Sequence, residues 1–162
     1  MREVKEEVII REYDSVEELS AEDRNLVELS KKTSKNAYAI YSKFHVGAAV
    51  LLENGEIVLG NNQENAAFPS GTCAERTAIF WAGANYPGVA VKTIAITAFS
   101  TEVNVNKPVP PCGGCRQALL EYENRYGKPM KVIMSGESGV IKVVDSMASL
   151  LPIKFGEKDM KA

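Results

Sequence analysis

An Asn-Gly pair between two apolar segments is the feature that most restricts the fold of this chain. Asn54 and Gly55 separate the segment FHVGAAVLL from the segment EIVLG. Asn-Gly between two apolar runs is the strongest short-range signal for a β-hairpin. The sequence therefore predicts two antiparallel strands, near residues 45–53 and 56–61, which form the start of a sheet.

Helical and strand segments alternate after this hairpin. A first helix is predicted from the N-cap Ser20, which precedes Asp23 by three residues, to about residue 39, because apolar residues recur there at a helical period. Further helices are predicted from Cys73, from Cys112 to a stop at Gly127, and in SMASLLP; strands are predicted in KTIAITAFS, KPMKVIMSG and VIKVVD. This order predicts a three-layer α/β/α domain with a mixed five-stranded sheet.

The length and charge of the chain limit its partners. A chain of 162 residues fits one domain, residues 20–162, preceded by an N-terminal extension, residues 1–19. The extension could add an edge strand or pack on a neighbouring molecule. A net charge of -2 disfavours nucleic acid and anionic membranes as partners, and the sequence lacks both a long apolar run and the apolar stretch of a signal peptide. We therefore expect a cytoplasmic protein with no nucleic-acid or membrane partner.

Three cysteines stand at the starts of two predicted helices. Cys73 begins one helix, and Cys112 and Cys115 begin another after the segment PVPP. An odd number of cysteines, two of them in Cys-x-x-Cys, favours metal or redox chemistry over a disulfide framework. Three protein ligands with an open fourth position is the pattern of catalytic zinc. His45 is a less favoured fourth ligand, and the Cys-x-x-Cys pair alone could be a thioredoxin-like redox pair.

Two charged residues adjoin the first cysteine. Arg76 can offset the net charge of about -1 that three thiolates leave on a divalent ion, and its guanidinium can donate to sulfur. Glu75 points away from Cys73 on the helix, so we expect a proton shuttle beside a metal-bound water rather than a fourth ligand. A helix-start acid and a solvated arginine are ordinary explanations for each residue singly, but they do not account for the group.

These motifs resemble the small, homotetrameric cytidine deaminases. Zinc deaminases combine a ligand-x-Glu segment with Pro-Cys-x-x-Cys, and the chain has CAE at 73–75 and PCGGC at 111–115. The segments YSKFHVGAAV, GNNQENAAF and LLPIKF extend the resemblance, in order and at similar spacing, over residues 21–156. The resemblance implies a cytidine deaminase-like fold, zinc as cofactor, and a homotetramer with sites at subunit interfaces. Cysteine as the first ligand is typical of members that act on nucleosides, whereas members acting on polynucleotides typically have histidine there.

The resemblance also implies an activity and further site residues. The activity is hydrolytic deamination of cytidine and 2′-deoxycytidine to uridine and 2′-deoxyuridine in pyrimidine salvage, in which zinc-bound hydroxide attacks C4 and Glu75 delivers protons. The residues carried over are Asn62 and Glu64 for the ribose, Phe44 for the pyrimidine ring, the backbone amide of Ala74 for the substrate carbonyl, and Phe155 for a neighbouring subunit's site.

One departure and two alternatives accompany this resemblance. Phe68 stands where many members have a tyrosine, so a contact from that hydroxyl to the sugar would be lost. The chain could deaminate another nucleoside-like compound such as blasticidin S, although the pair Asn62 and Glu64 is intact. It could also be a catalytically inactive zinc-binding scaffold, although Glu75 and an open zinc position argue against that hypothesis.

Overall fold

The fold is built on one mixed sheet in the computed structural model, which describes residues 1–161. Its six strands lie in the order β1-β6-β5-β4-β2-β3. They are β1 Arg11–Tyr13, β2 Phe44–Leu52, β3 Ile57–Asn61, β4 Val91–Ser100, β5 Lys131–Ser135 and β6 Ile141–Val144. The strands β4 and β5 are parallel, and the other neighbouring pairs are antiparallel.

Helices cover both faces of the sheet. They are α1 Ala21–Ser34, α2 Ala74–Asn85, α3 Gly113–Tyr126 and α4 Glu157–Met160, with short 3-10 helices at Val16–Glu18, Phe68–Ser70 and Met147–Leu150. One apolar core joins α1 to the sheet, and a second joins α2 and α3 to the opposite face. The predicted three-layer α/β/α architecture is therefore confirmed. No helix among residues 1–161 combines the length and the apolar character needed to cross a bilayer.

The two covered faces explain why β2 is apolar without alternation. Ala49 and Leu51 belong to the core under α1, whereas Val50 and Leu52 belong to the core under α2 and α3. Successive side chains of a strand point to opposite faces, so a strand covered on both sides is apolar throughout.

The hairpin and two helix boundaries agree with the sequence prediction. Strands β2 and β3 pair antiparallel around a short loop in which Gly55 has a φ of 87°, and the Leu52 amide bonds to the Glu56 carbonyl at 2.9 Å. Ser20 caps α1 by accepting a hydrogen bond from the Asp23 amide at 3.1 Å. Gly127 ends α3 with a φ of 61°, a left-handed conformation that glycine adopts readily.

The sheet has six strands rather than the predicted five. The additional strand comes from the N-terminal extension, in which Arg11–Tyr13 pairs with β6 and places Arg11 opposite Val143. Two hydrogen bonds from the Arg11 guanidinium to the Asp145 carboxylate, at 2.5 and 2.7 Å, fasten this strand to the sheet. Of the two possibilities left open for the extension, the structure shows the edge strand.

The first helix is shorter than predicted. It ends at Ser34, and the chain then turns so that the Tyr38 amide donates to the Asn62 carbonyl at 3.0 Å. The Glu64 amide donates in turn to the Tyr38 carbonyl at 2.9 Å. These bonds to a distant segment take Tyr38 out of the helical path and place it beside residues 62–64.

Candidate active site

Three cysteine sulfurs meet where two helices begin. Cys73 is the N-cap of α2, Cys112 is the N-cap of α3, and Cys115 lies in the first turn of α3. Their Sγ atoms all lie within 4.8 Å of one another, and the Cys73 and Cys112 sulfurs are 4.0 Å apart. Tetrahedral zinc with bonds of about 2.3 Å to sulfur separates two such sulfurs by about 3.8 Å. The three sulfurs therefore fit one zinc ion.

A glycine on β3 allows the first of these helices to approach the sheet closely. A Cβ atom on Gly60 would lie 2.6 Å from the Ala74 carbonyl oxygen and 2.6 Å from the Ala78 amide nitrogen. Because real Cβ atoms need more room, only glycine lets the first turn of α2 rest on β3. This contact sets the position of Cys73 relative to the sheet.

The charges of the sulfur cluster call for a cation. Hydrogen bonds from the Cys115 thiol and the Arg76 guanidinium lower the pKa of Cys73 to about 5, which favours its thiolate form. The same thiolate, followed by burial, raises the pKa of Cys115. The thiolate of Cys73 thus opposes the deprotonation of Cys115. A divalent cation between the sulfurs removes this opposition, because it stabilises all three cysteines in the deprotonated form.

Arg76, in the first turn of α2, contacts the sulfur cluster directly. Its Nη2 donates to Sγ of Cys73 at 3.6 Å, and this bond to the thiolate raises the pKa of Arg76. A guanidinium in this position offsets part of the negative charge of three thiolates.

Glu75 is buried beside the sulfurs. Only 4% of its surface is exposed, and burial, reinforced by the negative charge of Cys73, raises the pKa of its carboxyl group. Glu75 is not a member of the group whose ligand atoms converge. Glu75 is therefore buried next to the sulfur cluster without contributing a ligand atom to it.

His45 lies apart from the sulfurs. Its ring stacks on Phe99 with centroids 4.7 Å apart, and it is absent from the converging ligand group. The sulfur of Cys73 meets both members of the Cys-x-x-Cys pair, which is the arrangement of a three-ligand site rather than of an isolated redox pair.

A cavity of about 510 Å³ adjoins the cluster. It brings the predicted ribose-binding residues together with the first metal ligand. Its lining consists of Tyr41, Ser42, Asn62, Gln63, Glu64, Asn65, Phe68, Gly71, Thr72, Cys73 and Arg76.

Glu64 is held in this cavity as a carboxylate. Its Oε2 accepts hydrogen bonds from the amides of Tyr41 at 2.8 Å and Ser42 at 3.3 Å. The Ser42 hydroxyl, followed by these amides, lowers the pKa of Glu64. An ionised carboxylate has about four acceptor positions, so capacity remains for ligand hydroxyl groups.

Asn62 is largely occupied by the neighbouring strand. Its Oδ1 accepts from the Val46 amide at 2.8 Å, and its Nδ2 donates to the Phe44 carbonyl at 2.9 Å. One N–H of the amide and one acceptor position remain for a ligand. Asn62 therefore also fixes the start of β2, where the half-buried Phe44 lies.

Other predicted residues lie outside the cavity lining. Ala74 is fully buried as the first residue of α2, and its amide belongs to the first turn, where N–H groups have no intrahelical acceptor. Phe155 is 57% exposed in the C-terminal segment, where its carbonyl accepts from Gln117 Nε2 at 3.0 Å. The departure Phe68 does line the cavity; it is 75% exposed and meets Tyr41 edge-on, with ring centroids 6.0 Å apart.

Sequence analysis missed the backbone groups that hold Glu64. The amides of Tyr41 and Ser42 have no side-chain signature, because every residue except proline carries the same donor. The segment YSKFHVGAAV was singled out as a motif, but only for Phe44 and the strand. The return of the chain to Glu64 depends on contacts between distant segments.

Comparison with known proteins agrees with this geometry. Residues 20–127 match the family described as the cytidine and deoxycytidylate deaminase zinc-binding region. The chain is 41% identical over 136 residues to a cytidine deaminase of Sporosarcina psychrophila, in a match that covers 83% of this chain and 92% of that protein. The crystal structure of a cytidine deaminase from Burkholderia pseudomallei superposes with a TM-score of 0.70 at 37% identity, covering 85% of this chain and 100% of that one. A weaker match, 29% identical over 139 residues, is a blasticidin-S deaminase of Bacillus cereus, covering 85% of this chain and 94% of that protein.

Proposed function

This chain belongs to the cytidine and deoxycytidylate deaminase family, and from that premise we propose that it deaminates cytidine and 2′-deoxycytidine to uridine and 2′-deoxyuridine. The observation that carries the proposal is the convergence of three cysteine sulfurs beside a cavity that also contains Glu64. The reaction consumes one water molecule and releases one ammonia molecule.

The metal site determines the chemistry of the reaction. Cys73, Cys112 and Cys115 would hold the zinc ion, which would supply an activated water molecule for attack on a ring carbon. Arg76 donates to the Cys73 sulfur and keeps this ligand in the thiolate form.

Glu75 moves the protons. It takes a proton from the attacking water and delivers it to N3 of the pyrimidine ring. It then takes the proton of the new hydroxyl group at C4 and delivers it to the amino group, so that the C4=O bond forms as the C4–N bond breaks and ammonia leaves. Its burial beside Cys73 supports this role, because a general acid-base group must lie within hydrogen-bond reach of the reacting atoms.

The remaining residues bind the nucleoside. Glu64 and the free N–H of Asn62 bind the sugar hydroxyls, Phe44 packs on the pyrimidine, and the Ala74 amide donates to the ring carbonyl. The exposure of Phe155, outside this chain's own cavity, supports a homotetramer in which Phe155 reaches the site of a neighbouring subunit.

The activity resides in residues 20–162, and residues 1–19 are an extension. Three thiols that must remain reduced to bind zinc suit a cytoplasmic location.

The test combines metal analysis with turnover. Purified protein should contain about one zinc per chain, and ultraviolet absorbance should fall when cytidine or 2′-deoxycytidine is added. Glu75→Gln should retain zinc and lose a factor of about 10² to 10⁴ in kcat. Glu28→Gln, an exposed site on α1, is the matched control. A Glu75→Gln protein with substantial turnover would exclude Glu75 as the proton shuttle.

A second candidate substrate follows from the weaker relative. The match to a blasticidin-S deaminase favours an assay of blasticidin S in parallel. Zinc at one per chain with turnover of blasticidin S, but not of cytidine, would replace the first proposal. Zinc with no turnover of either compound would favour the inactive scaffold.

A further inference from the structure

Lys43 has a backbone conformation that lysine rarely adopts. Its φ is 55°, and it is the one residue other than glycine with a positive φ between residues 1 and 161. The left-handed region is unfavourable for residues with a Cβ, so surrounding contacts must hold the residue there. Such strain is found at functional sites more often than elsewhere, and Lys43 directly follows Tyr41 and Ser42 of the cavity lining.

Three hydrogen bonds hold this conformation. The Lys43 amide donates to the Ala39 carbonyl at 3.0 Å, which closes a single helical turn, and the Lys43 carbonyl accepts from the Thr101 amide at 3.3 Å. The Phe44 amide donates to Oγ of Ser42 at 3.1 Å. The left-handed residue thus ends the turn and directs the chain into β2, as glycine does at many helix ends.

The turn presents two consecutive amides to one oxygen. The Tyr41 and Ser42 amides both donate to Oε2 of Glu64, at 2.8 and 3.3 Å. Consecutive amides in a turn form a concave site that favours a negative charge. If residue 43 had an extended conformation, the chain could not both close the turn at Ala39 and enter β2 at Phe44, and the two amides would leave Glu64.

We propose that Lys43 is a positioning residue for substrate binding, and that its left-handed backbone rather than its ammonium group keeps the turn of residues 39–44 on Glu64. This inference rests on the proposed function, in which Glu64 binds the sugar hydroxyls. A nucleoside is uncharged, so the ammonium group has no phosphate to pair with, and the backbone is the part of Lys43 that the substrate site uses.

Variants at position 43 separate the backbone from the charge. Lys43→Gly and Lys43→Asn remove the ammonium group but tolerate a left-handed φ, whereas Lys43→Val is β-branched and does not. We expect the KM of Lys43→Val for cytidine to be about tenfold above that of Lys43→Gly. Valine disfavours the left-handed conformation, whereas glycine adopts it readily. The kcat values of these two variants should agree within about twofold, because the sulfurs and Glu75 are not displaced. A Lys43→Gly protein with a KM as high as that of Lys43→Val would overturn the proposal.

A double-mutant cycle asks whether the effect passes through Glu64. In a Glu64→Ala background, the Lys43→Gly and Lys43→Val proteins should differ in KM by less than about twofold, because no side-chain oxygen remains for the two amides to hold. The same tenfold difference in both backgrounds would show that position 43 acts without Glu64. If Lys43→Val fails to fold, Lys43→Ala against Lys43→Gly gives the same comparison with a smaller difference.

A readout without catalysis separates this inference from the proposed function. Amide hydrogen exchange at Tyr41 and Ser42 should be faster in Lys43→Val than in Lys43→Gly, whatever the substrate. Faster exchange in Lys43→Val than in Lys43→Gly, together with a wild type that does not turn over cytidine, would support the role of Lys43 in the turn. The same result would reject cytidine as the substrate. Equal exchange in the two variants would reject the role of Lys43.

Discussion

Nη2 of Arg76 donates a hydrogen bond to Sγ of Cys73 at 3.6 Å, within the first turn of the helix that Cys73 caps. The contact joins a full positive charge to a metal ligand. Together with the Cys115 thiol, this guanidinium lowers the pKa of Cys73 to about 5. The positive charge therefore stabilises the form of the sulfur that binds a metal.

Arg76→Gln should weaken zinc binding by a factor of about 10 to 100, the usual effect of losing a partner that contacts a metal ligand. Without the guanidinium the pKa of Cys73 rises, so protons compete better with zinc for the sulfur. The loss of zinc affinity should therefore be larger at pH 6 than at pH 8. Competition with a chromophoric chelator over this pH range measures the effect. Arg125→Gln, at an exposed site near the end of α3, is the control. Equal zinc affinity in both variants would separate Arg76 from the metal.

Gly60→Ala should displace the start of α2. The new Cβ atom would lie 2.6 Å from the Ala74 carbonyl and the Ala78 amide, and such overpacking costs about 1–3 kcal/mol of unfolding free energy. Because Cys73 caps this helix, zinc affinity should fall as well. Urea unfolding and chelator competition measure the two effects.

Gly114→Ala is the matched control for this change. Gly114 lies between two metal ligands, but a Cβ there meets no atom within 4 Å. Alanine also favours a helix more than glycine does. Zinc affinity should stay unchanged in Gly114→Ala, and a Gly60→Ala protein with the same stability and affinity as the control would contradict the close-contact argument.

Glu123→Gln should destabilise the junction between α3, β5 and the 3-10 helix Met147–Leu150. The Glu123 carboxylate accepts from the amides of Met130 at 2.9 Å and Met147 at 2.7 Å, and from the Ser146 hydroxyl at 2.6 Å. A glutamine turns an NH₂ group toward some of these donors, and leaving them unpaired costs about 1–3 kcal/mol. Chemical denaturation should show this loss, whereas the exposed variant Glu121→Gln should change stability by less than about 0.5 kcal/mol. Comparable stability in the two variants would rule out Glu123 as an anchor.

The pair of Arg11 and Asp145 should make the attachment of β1 depend on acid pH. The Arg11 guanidinium lowers the pKa of Asp145 below its unfolded value of about 3.9. The stabilisation is therefore fully present above about pH 4, and it is lost as the pH falls through the folded pKa of Asp145. Amide hydrogen exchange of β1 should show this loss in the wild type.

Asp145→Asn is the comparison for the acid effect. Its β1 amides should already exchange faster at pH 7, and the wild type should approach this variant as the pH falls below about 4. High salt should reduce the difference at pH 7, because the pair is exposed and ions screen it. Equal exchange rates of the β1 amides in the wild type and in Asp145→Asn at every pH would show that the pair does not fasten β1.

Local features of the fold could be predicted from the sequence. Ser20 and Gly127 mark helix ends by properties of the residues themselves, and Asn54-Gly55 marks a hairpin. The order of helices and strands predicted the three layers, because both hydrophobic period and turn chemistry are contained in short stretches of chain. The three cysteines that could hold a metal ion were also visible, since cysteine has few alternatives to metal or redox chemistry at such a spacing.

Longer-range features could not be predicted in this way. The sequence left the role of residues 1–19 open because the partner of Arg11, Asp145, lies 134 positions away. The first helix stops at Ser34 because Tyr38 bonds to residues 62 and 64, which local helix propensity cannot show.

The sequence by itself therefore determined the kinds of element, their order and the residues able to hold zinc. Only the tertiary structure decided that Cys73 meets the sulfurs of α3, that Glu64 rests on two backbone amides, and that Lys43 takes a left-handed conformation. The physical reason is that side-chain chemistry and periodicity are local, whereas these contacts join atoms whose distance depends on how the whole sheet is assembled.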